Sequence, residues 1–284
     1  MTDFAPARPL DVIDLLAAER AVLVSLLASL DDNSWRAATE CPGWSVHGIA
    51  CHLIGDDLSL LSRQRDGVPD PEFAANPPMT VPEFLTRLDA LNNRFVATMA
   101  GLAPTLVVEL LQVTGTWTRD WYATVDPERL GESVHWVSPD PAPYWMLAAR
   151  ELVERWIHHH QIRRALGQAW LPDPALTATA LAAMMRGFPL SMAVLSAPPG
   201  TTLTIAADDF GAASWTLVAG DGGWRLHDGQ PDEPTARVHG VLDDLAAVLS
   251  RGTPRAEVGE RITADGDHEL GQSMVAGLAA FFGR

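Results

Sequence analysis

The 284-residue sequence contains no lysine, so all 20 of its basic residues are arginine. They face 36 acidic residues, and the formal net charge is −16. The acidic residues are dispersed along the chain, whereas binding to a phosphate backbone needs basic patches. The composition therefore excludes nucleic acid as a partner and disfavours an anionic membrane surface.

Cysteine is scarce, with only Cys41 and Cys51 present. Two cysteines without C-x-x-C spacing cannot form a disulfide framework, which favours a reducing compartment. Cys51 lies beside His52, but adjacent helical residues diverge by about 100°. We therefore interpret Cys51 as a small buried residue rather than a nucleophile or ligand.

Long apolar runs are also lacking. No stretch of about 18 uninterrupted apolar residues occurs, as a membrane-spanning helix would require, and the N-terminal sequence has no basic region followed by an apolar run, as a secretory signal would. We expect a cytoplasmic protein. Hydrophobic residues make up 47% of the chain, enough for a sizeable core in each of two domains.

The first part of the chain has the pattern of an antiparallel helix bundle. Capping residues, glycine stops and 3.6-residue periodicity predict its helices. One helix is predicted from about 11 to 31, a second from Ser45 to Gly67 and a third from Thr80 to near Gly101. A fourth begins at about Thr105 and is interrupted at Gly115, and the last long helix ends at Gly167.

The sequence pattern changes at Leu-Pro-Asp-Pro, residues 171–174. One helix is predicted at about 175–197, followed by short alternating runs, a Gly-Asp-Gly-Gly hairpin signal at 220–223, and helices at about 241–251 and 268–282. The predicted fold is α plus α+β. A helix bundle, residues 1–172, precedes a smaller α+β domain, residues 173–284.

Glu154 and His158 are four residues apart on the last bundle helix and share one stripe. Imidazole and carboxylate both suit zinc-like ions, although such a pair is more often a solvated helix face. A third ligand can come from His52 on the second helix, where the alternative is a core histidine hydrogen-bonded to Asp56. Three protein ligands would leave an open coordination position, as in catalytic zinc sites.

The segments CPGWSVHGIACHLIGDDLSLLSRQRDG and ARELVERWIHHHQIRRALG resemble the mycothiol-dependent maleylpyruvate isomerase N-terminal family, one of the DinB-like metal-binding four-helix bundles. The resemblance covers roughly residues 10–170 and is most specific in W-S-V-x-x-I-A-x-H-L and E-R-W-x-H. It implies a divalent metal, most simply zinc, on His52, Glu154 and His158. The later RVHGVLDDLAAVLSRG and ITADGD are similar to a sterol-carrier-protein-like domain.

The resemblance also implies mycothiol or a related thiol as cofactor. The metal would hold the thiol as a thiolate for S-transfer to a small electrophilic substrate, or for its cis–trans isomerisation. Many relatives have Asp three residues after the last ligand, where this chain has Gln161. Asp56, Arg63 and Gln161 are candidate residues for binding the thiol or the substrate.

Two other functions stay open on the same bundle: a non-catalytic metal-dependent binding or sensor protein, and a metal hydrolase. The protein would be a monomer or a homodimer.

Overall fold

The computed structural model describes residues 4–70, 81–169, 173–211, 213–250 and 252–282. The chain divides into two compact units. The helical unit comprises Asp11–Gly131 and Glu154–Pro172, and the α+β unit comprises Met1–Leu10, Glu132–Val153 and Asp173–Arg284. The predicted fold class, a helix bundle followed by an α+β part, is confirmed.

The helices that precede residue 173 are mostly long. They are α1 (Ile13–Ala28), α2 (Asp32–Trp35), α3 (Val46–Leu60), α4 (Val81–Met99), α5 (Pro104–Tyr122) and α6 (Tyr144–Ala165). A single π-helical turn, Leu61–Arg65, extends α3. The division between the two units falls within α6, and only its second half belongs to the helical unit.

Local hydrogen bonding explains where α3 and α6 begin or end. The Ser45 side chain caps α3 by accepting a hydrogen bond from the backbone N–H of Gly48. Gly67 and Gly167 follow α3 and α6 with φ angles of +70° and +65°. Glycine adopts this left-handed conformation at little cost, so it ends a helix efficiently.

Apolar side chains from α1, α3, α5 and α6 meet in the core of the helical unit. Leu23, Leu53, Leu111 and Ile162, one from each helix, are at most 1% exposed. Helix α4 contacts α3, and Phe95 of α4 belongs to the side chains packed around this core. Burial of this apolar surface is the main term that stabilises the bundle.

Helix α5 is continuous, so the predicted interruption at Gly115 is wrong. The glycine serves packing instead, because a Cβ at this position would lie 2.9 Å from Cγ of Arg20 on α1. Arg20 passes over the space that a side chain would fill. Sequence periodicity cannot distinguish a helix-breaking glycine from one that admits a neighbouring side chain.

The α+β unit is built on a six-stranded sheet of order β1-β6-β5-β4-β7-β8. Only the central β4–β7 pair is parallel among the neighbouring pairs described. The strands are β1 (Ala5–Pro6), β4 (Thr202–Ala207), β5 (Ser214–Gly220), β6 (Gly223–Asp228), β7 (Ala236–Gly240) and β8 (Thr263–Gly266), while β2 (Leu130–Ser133) and β3 (Pro141–Pro143) form a separate ribbon.

The helices of this part of the chain are α7 (Pro174–Met185), α8 (Phe188–Ser191), α9 (Leu242–Leu249), α10 (Val258–Arg261) and α11 (His268–Phe282), with a 3₁₀ turn at Arg255–Glu257. The predicted helix at 175–197 is shorter than expected. Pro189 lacks the N–H that would continue the helical ladder, so α7 ends before it and the short α8 begins anew. The predicted hairpin is confirmed, with Gly220 paired to Gly223.

The predicted domain boundary at residue 172 lies outside the described residues and stays a prediction. Strand β1 pairs with β6 at the edge of the sheet, so the described residues 4–10 belong to the α+β unit. Residues 132–153 belong to it as well. In the described part of the chain, no helix combines the length and apolarity needed to cross a membrane.

Candidate metal centre

Two helices of the bundle supply the candidate ligands. His52 lies in the second turn of α3 and is 5% exposed, while Glu154 and His158 occupy successive turns of α6. Their four-residue spacing places both side chains on the same face of α6. The core between α3 and α6 turns that face towards His52.

The three side chains converge on one point. Glu154 Oε1 lies 3.2 Å from His52 Nε2 and 3.2 Å from His158 Nε2. The two imidazole rings are 4.7 Å apart between centroids, at an angle of 74°. All three ligand atoms lie within 4.8 Å of one another, and they are the group among the described residues whose geometry can hold a metal ion.

These distances fit a tetrahedral ion. Ligand atoms about 2.0 to 2.2 Å from such an ion are about 3.3 to 3.6 Å apart, close to both distances to Glu154. Two imidazoles and one carboxylate are ligands of zinc and related divalent metals. Glu154 is 29% exposed at its side chain, so the centre opens on that side.

The electrostatics of the centre favour positive charge. Burial by itself lowers the pKa of His158, but hydrogen bonds with Cys41 and Glu154 and the negative charge of Glu154 outweigh burial and raise this pKa to about 10. The same negative environment that retains a proton on His158 would stabilise a divalent cation in its place.

An aromatic side chain forms one wall beside the ligands. The ring of Trp44 lies 4.9 Å from that of His52 and 6.4 Å from that of His158, centroid to centroid. The indole Nε1–H of Trp44 donates a 2.7 Å hydrogen bond to Asn93 Oδ1 on α4. This bond fixes the plane of the wall.

Gln161, predicted as a thiol- or substrate-binding residue, lies beside the last ligand. Its Oε1 atom is 2.6 Å from His158 Nδ1 and 3.1 Å from Cys41 Sγ. The residue is 7% exposed. The structure therefore places Gln161 in contact with a candidate ligand.

The other two predicted binding residues lie farther along α3 or its extension. Asp56 is half-buried, one turn beyond His52. Arg63 belongs to the π-helical turn, where its Nε donates a 3.2 Å hydrogen bond to Ser59 Oγ. Eleven residues of helix separate it from His52, about 16 Å along the axis. A role for Asp56 or Arg63 in binding stays a prediction.

Sequence reasoning missed a buried polar cluster on the same helices. Asp57 accepts hydrogen bonds from Arg20 Nη1 at 2.9 Å, Arg155 Nη2 at 2.6 Å, Thr114 Oγ1 at 2.7 Å and Thr118 Oγ1 at 3.3 Å. Burial alone would raise the pKa of Asp57, but the two guanidinium charges and these hydrogen bonds hold it below its ordinary value. The cluster joins α1, α3, α5 and α6.

Cys51 is fully buried, and burial raises the pKa of its thiol to about 11. A thiol with so high a pKa is a poor nucleophile and a poor metal ligand at neutral pH. The interpretation of Cys51 as a small buried residue is confirmed.

A family model described as the mycothiol maleylpyruvate isomerase N-terminal domain matches residues 16–163, more than half of the chain. The chain belongs to this family. The matched range contains all three candidate ligands, Gln161 and the whole Asp57 cluster. A comparison of the sequence with curated proteins finds no match.

Solved structures support the same fold as the family. Two crystal structures of a mycothiol-dependent maleylpyruvate isomerase, one of them a mutant, each cover 89% of this chain and 91% of their own, with a TM-score of 0.53. Their sequence identities to this chain are 12% for the mutant and 13%. At such identity the likeness shows the fold. The sterol-carrier-like character of the C-terminal part stays a prediction.

Proposed function

We propose that this member of the maleylpyruvate isomerase family is a divalent-metal-dependent enzyme that uses a low-molecular-weight thiol of the mycothiol type. Its reaction would be cis–trans isomerisation of a small electrophilic alkene, or S-transfer to such an electrophile. The observation that supports this proposal is the convergence of His52, Glu154 and His158 on one point of the bundle. Membership of the family supplies the thiol and the reaction type.

The donor set explains why the thiol and the metal belong together. With an ion held by His52, Glu154 and His158, a nearby thiol would have a lowered pKa, and a thiolate adds reversibly to an alkene conjugated with carbonyl groups, which permits rotation before elimination. Elimination regenerates the thiol, so no oxidant or reductant is consumed.

The residues of the chain have distinct tasks in this scheme. His52, Glu154 and His158 would hold the ion and leave a position open on the exposed side of Glu154. Glu154 contributes one negative charge, so an ion and its protein ligands retain a net charge of +1 that favours an anionic sulfur. Trp44 supplies an apolar wall beside His52, which limits access of water.

Metal content tests the first half of the proposal. Protein purified without an affinity tag should contain near-stoichiometric metal by elemental analysis, or take it up from zinc, nickel or manganese. The Glu154→Ala, His158→Ala double variant should lose it. A matched Glu109→Ala, His268→Ala double variant removes the same residue types from exposed positions and should retain it.

Turnover tests the second half. The loaded wild type should consume a maleylpyruvate-type cis-alkene only when a thiol is present, and His52→Ala should abolish this activity. Metal uptake without turnover of any electrophile would favour a binding or sensor protein, and thiol-independent ester or amide cleavage would favour a hydrolase. Absence of metal uptake under all three ions would refute the metal-dependent proposal.

A further inference from the structure

We propose that Gln161 and Cys41 are positioning residues for His158, which together fix the tautomer and the ring orientation that a metal ligand needs. This inference rests on the proposed function and deepens it, because it concerns the same centre. It changes the role expected for Gln161 from contact with the thiol or the substrate to support of a ligand.

The hydrogen-bonding chemistry of the Gln161 amide determines which of its neighbours are donors. An amide oxygen only accepts hydrogen bonds and has two lone pairs. Gln161 Oε1 has two neighbours at hydrogen-bonding distance, His158 Nδ1 at 2.6 Å and Cys41 Sγ at 3.1 Å. Both neighbours must therefore donate to this oxygen, so we place a proton on Nδ1 and direct the S–H of Cys41 at the amide.

The proton on Nδ1 decides which nitrogen of His158 can bind a metal. With Nδ1 protonated, Nε2 has the lone pair available in the neutral ring. Nε2 is also the nitrogen that lies 3.2 Å from Glu154 Oε1, at the point where the ligand atoms converge. The opposite tautomer would place a proton between His158 and the ion.

Cys41 contributes by holding the amide. It lies in the segment before α3, 120 residues from Gln161 in the sequence, and its thiol occupies the second lone pair of the amide oxygen. An oxygen with two donors is held in place more firmly than an oxygen with one. The thiol thus ties this segment to the last turns of α6 and keeps the acceptor directed at His158.

An amide acceptor also tunes the ligand differently from a carboxylate. A carboxylate bonded to the far nitrogen of a metal-binding imidazole increases its basicity and tightens metal binding. A neutral amide orients the ring without adding charge. The ion would then retain more of its ability to polarise a bound thiol.

Zinc affinity provides the main test, measured on the full chain by competition with a chromogenic chelator. Gln161→Leu removes the acceptor at similar volume and should weaken zinc binding roughly 10- to 100-fold, the usual effect of losing such a partner. Gln161→Glu restores an acceptor and adds charge, so it should bind zinc at least as tightly as wild type. Gln112→Leu, the same change at an exposed position of α5, should have no effect.

The role of Cys41 has its own pair of variants. Cys41→Ser retains a donor to the amide and should keep the affinity within about twofold of wild type, whereas Cys41→Ala should weaken it by a smaller factor than Gln161→Leu does. Equal affinities of Cys41→Ser and Cys41→Ala would remove Cys41 from the proposal.

A spectroscopic readout separates positioning from general stability. In ¹⁵N-labelled zinc-loaded wild type, His158 should show a protonated Nδ1 and a metal-bound Nε2, and Gln161→Leu should alter the His158 signals while those of His52 remain. If Gln161→Leu does not fold, Gln161→Glu still tests the proposal, because it should bind zinc at least as tightly as wild type and weaker binding overturns the proposal.

The possible failures are distinguishable. If wild type binds no metal, the proposed function fails. If wild type binds zinc and Gln161→Leu binds it equally well, or if Nδ1 of His158 is unprotonated, the proposed function stands and the positioning role is refuted.

Discussion

Helices α3 and α6 each contribute to two polar clusters, and the clusters differ although their residues are neighbours in the sequence. His52 and Asp57 are both on α3, while Glu154 and Arg155 are adjacent on α6. In one cluster, His52 and Glu154 meet with side chains that are 6% and 29% exposed. In the other, Asp57 and Arg155 meet with side chains that are each 1% exposed.

The hydrogen bonds explain why the carboxylates of Asp57 and Glu154 differ in their capacity to bind a metal ion. Asp57 receives four donors, two on each oxygen, and these saturate the acceptor sites of a carboxylate. Glu154 Oε1 instead faces two imidazole nitrogens. Imidazoles can lose protons and guanidinium groups cannot, so only the first cluster can exchange protons for a metal ion.

One helix pair thus combines a candidate metal site with a rigid, buried polar cluster around Asp57. A buried ion pair is costly to break because the remaining charges lose their compensation. The Asp57 cluster therefore fixes α3 against α6. The candidate metal centre, built on the same pair, can remain open on one side.

The largest expected effect on the free energy of unfolding follows from removing the carboxylate of the Asp57 cluster. Asp57→Ala leaves the guanidinium groups of Arg20 and Arg155 buried without their carboxylate, and should reduce the free energy of unfolding by about 3 to 5 kcal/mol. Urea denaturation measures it. Asp89→Ala, at an exposed position of α4, should stay within about 0.5 kcal/mol of wild type. A loss below 1 kcal/mol for Asp57→Ala would contradict the proposed contrast between the clusters.

Metal binding should distinguish the cluster of His52 and Glu154 from that of Asp57. A ligand that binds only the folded state at 100 times its dissociation constant adds about 2.7 kcal/mol to the free energy of unfolding. Zinc at that excess should stabilise wild type by this amount in thermal or urea unfolding, and His268→Ala should respond equally. His52→Ala should show little gain, and a full gain in that variant would place the metal elsewhere.

Packing of Arg20 over α5 gives a third prediction. Alanine normally stabilises a helix by about 1 kcal/mol relative to glycine. In Gly115→Ala the new Cβ would lie 2.9 Å from Arg20 Cγ, so we expect a loss of about 1 to 3 kcal/mol instead. Gly101→Ala, in the turn that follows α4, would have no heavy atom within 4 Å of its Cβ and is the control for a new methyl group without a clash. A stabilised Gly115→Ala would show that Arg20 can move at no cost.

A falling pH should gradually weaken the stabilisation that the Asp57 cluster provides. The pKa of Asp57 is lowered in the folded protein, so its stabilisation is fully present above the unfolded pKa of about 3.9 and is lost as the pH falls through the lower folded value. The stability advantage of wild type over Asp57→Asn should shrink below about pH 4, by up to about 1.4 kcal/mol per pH unit. Unfolding titrations at several pH values measure this advantage, and a constant difference down to pH 2 would refute it.

Sequence patterns predicted most elements because their signals are local. The helix at 268–282, the hairpin at Gly220–Gly223 and the cap at Ser45 all depend on residues within a few positions of each other. The i, i+4 spacing likewise placed Glu154 and His158 on one face. Charged residues are rarely fully buried, and for that reason the pairing of Asp57 with Arg20 and Arg155 was not predicted.

The sequence was sufficient to predict most of the long helices, the hairpin, the fold class and a short set of candidate ligands, because periodicity and capping act over a few residues. Three features depend on the tertiary structure: Arg20 passes over Gly115, Asp57 collects four donors, and Gln161 Oε1 lies against both His158 Nδ1 and Cys41 Sγ. These contacts join residues 37 to 120 positions apart, except for Gln161 and His158. They depend on the register between helices, which local patterns do not specify.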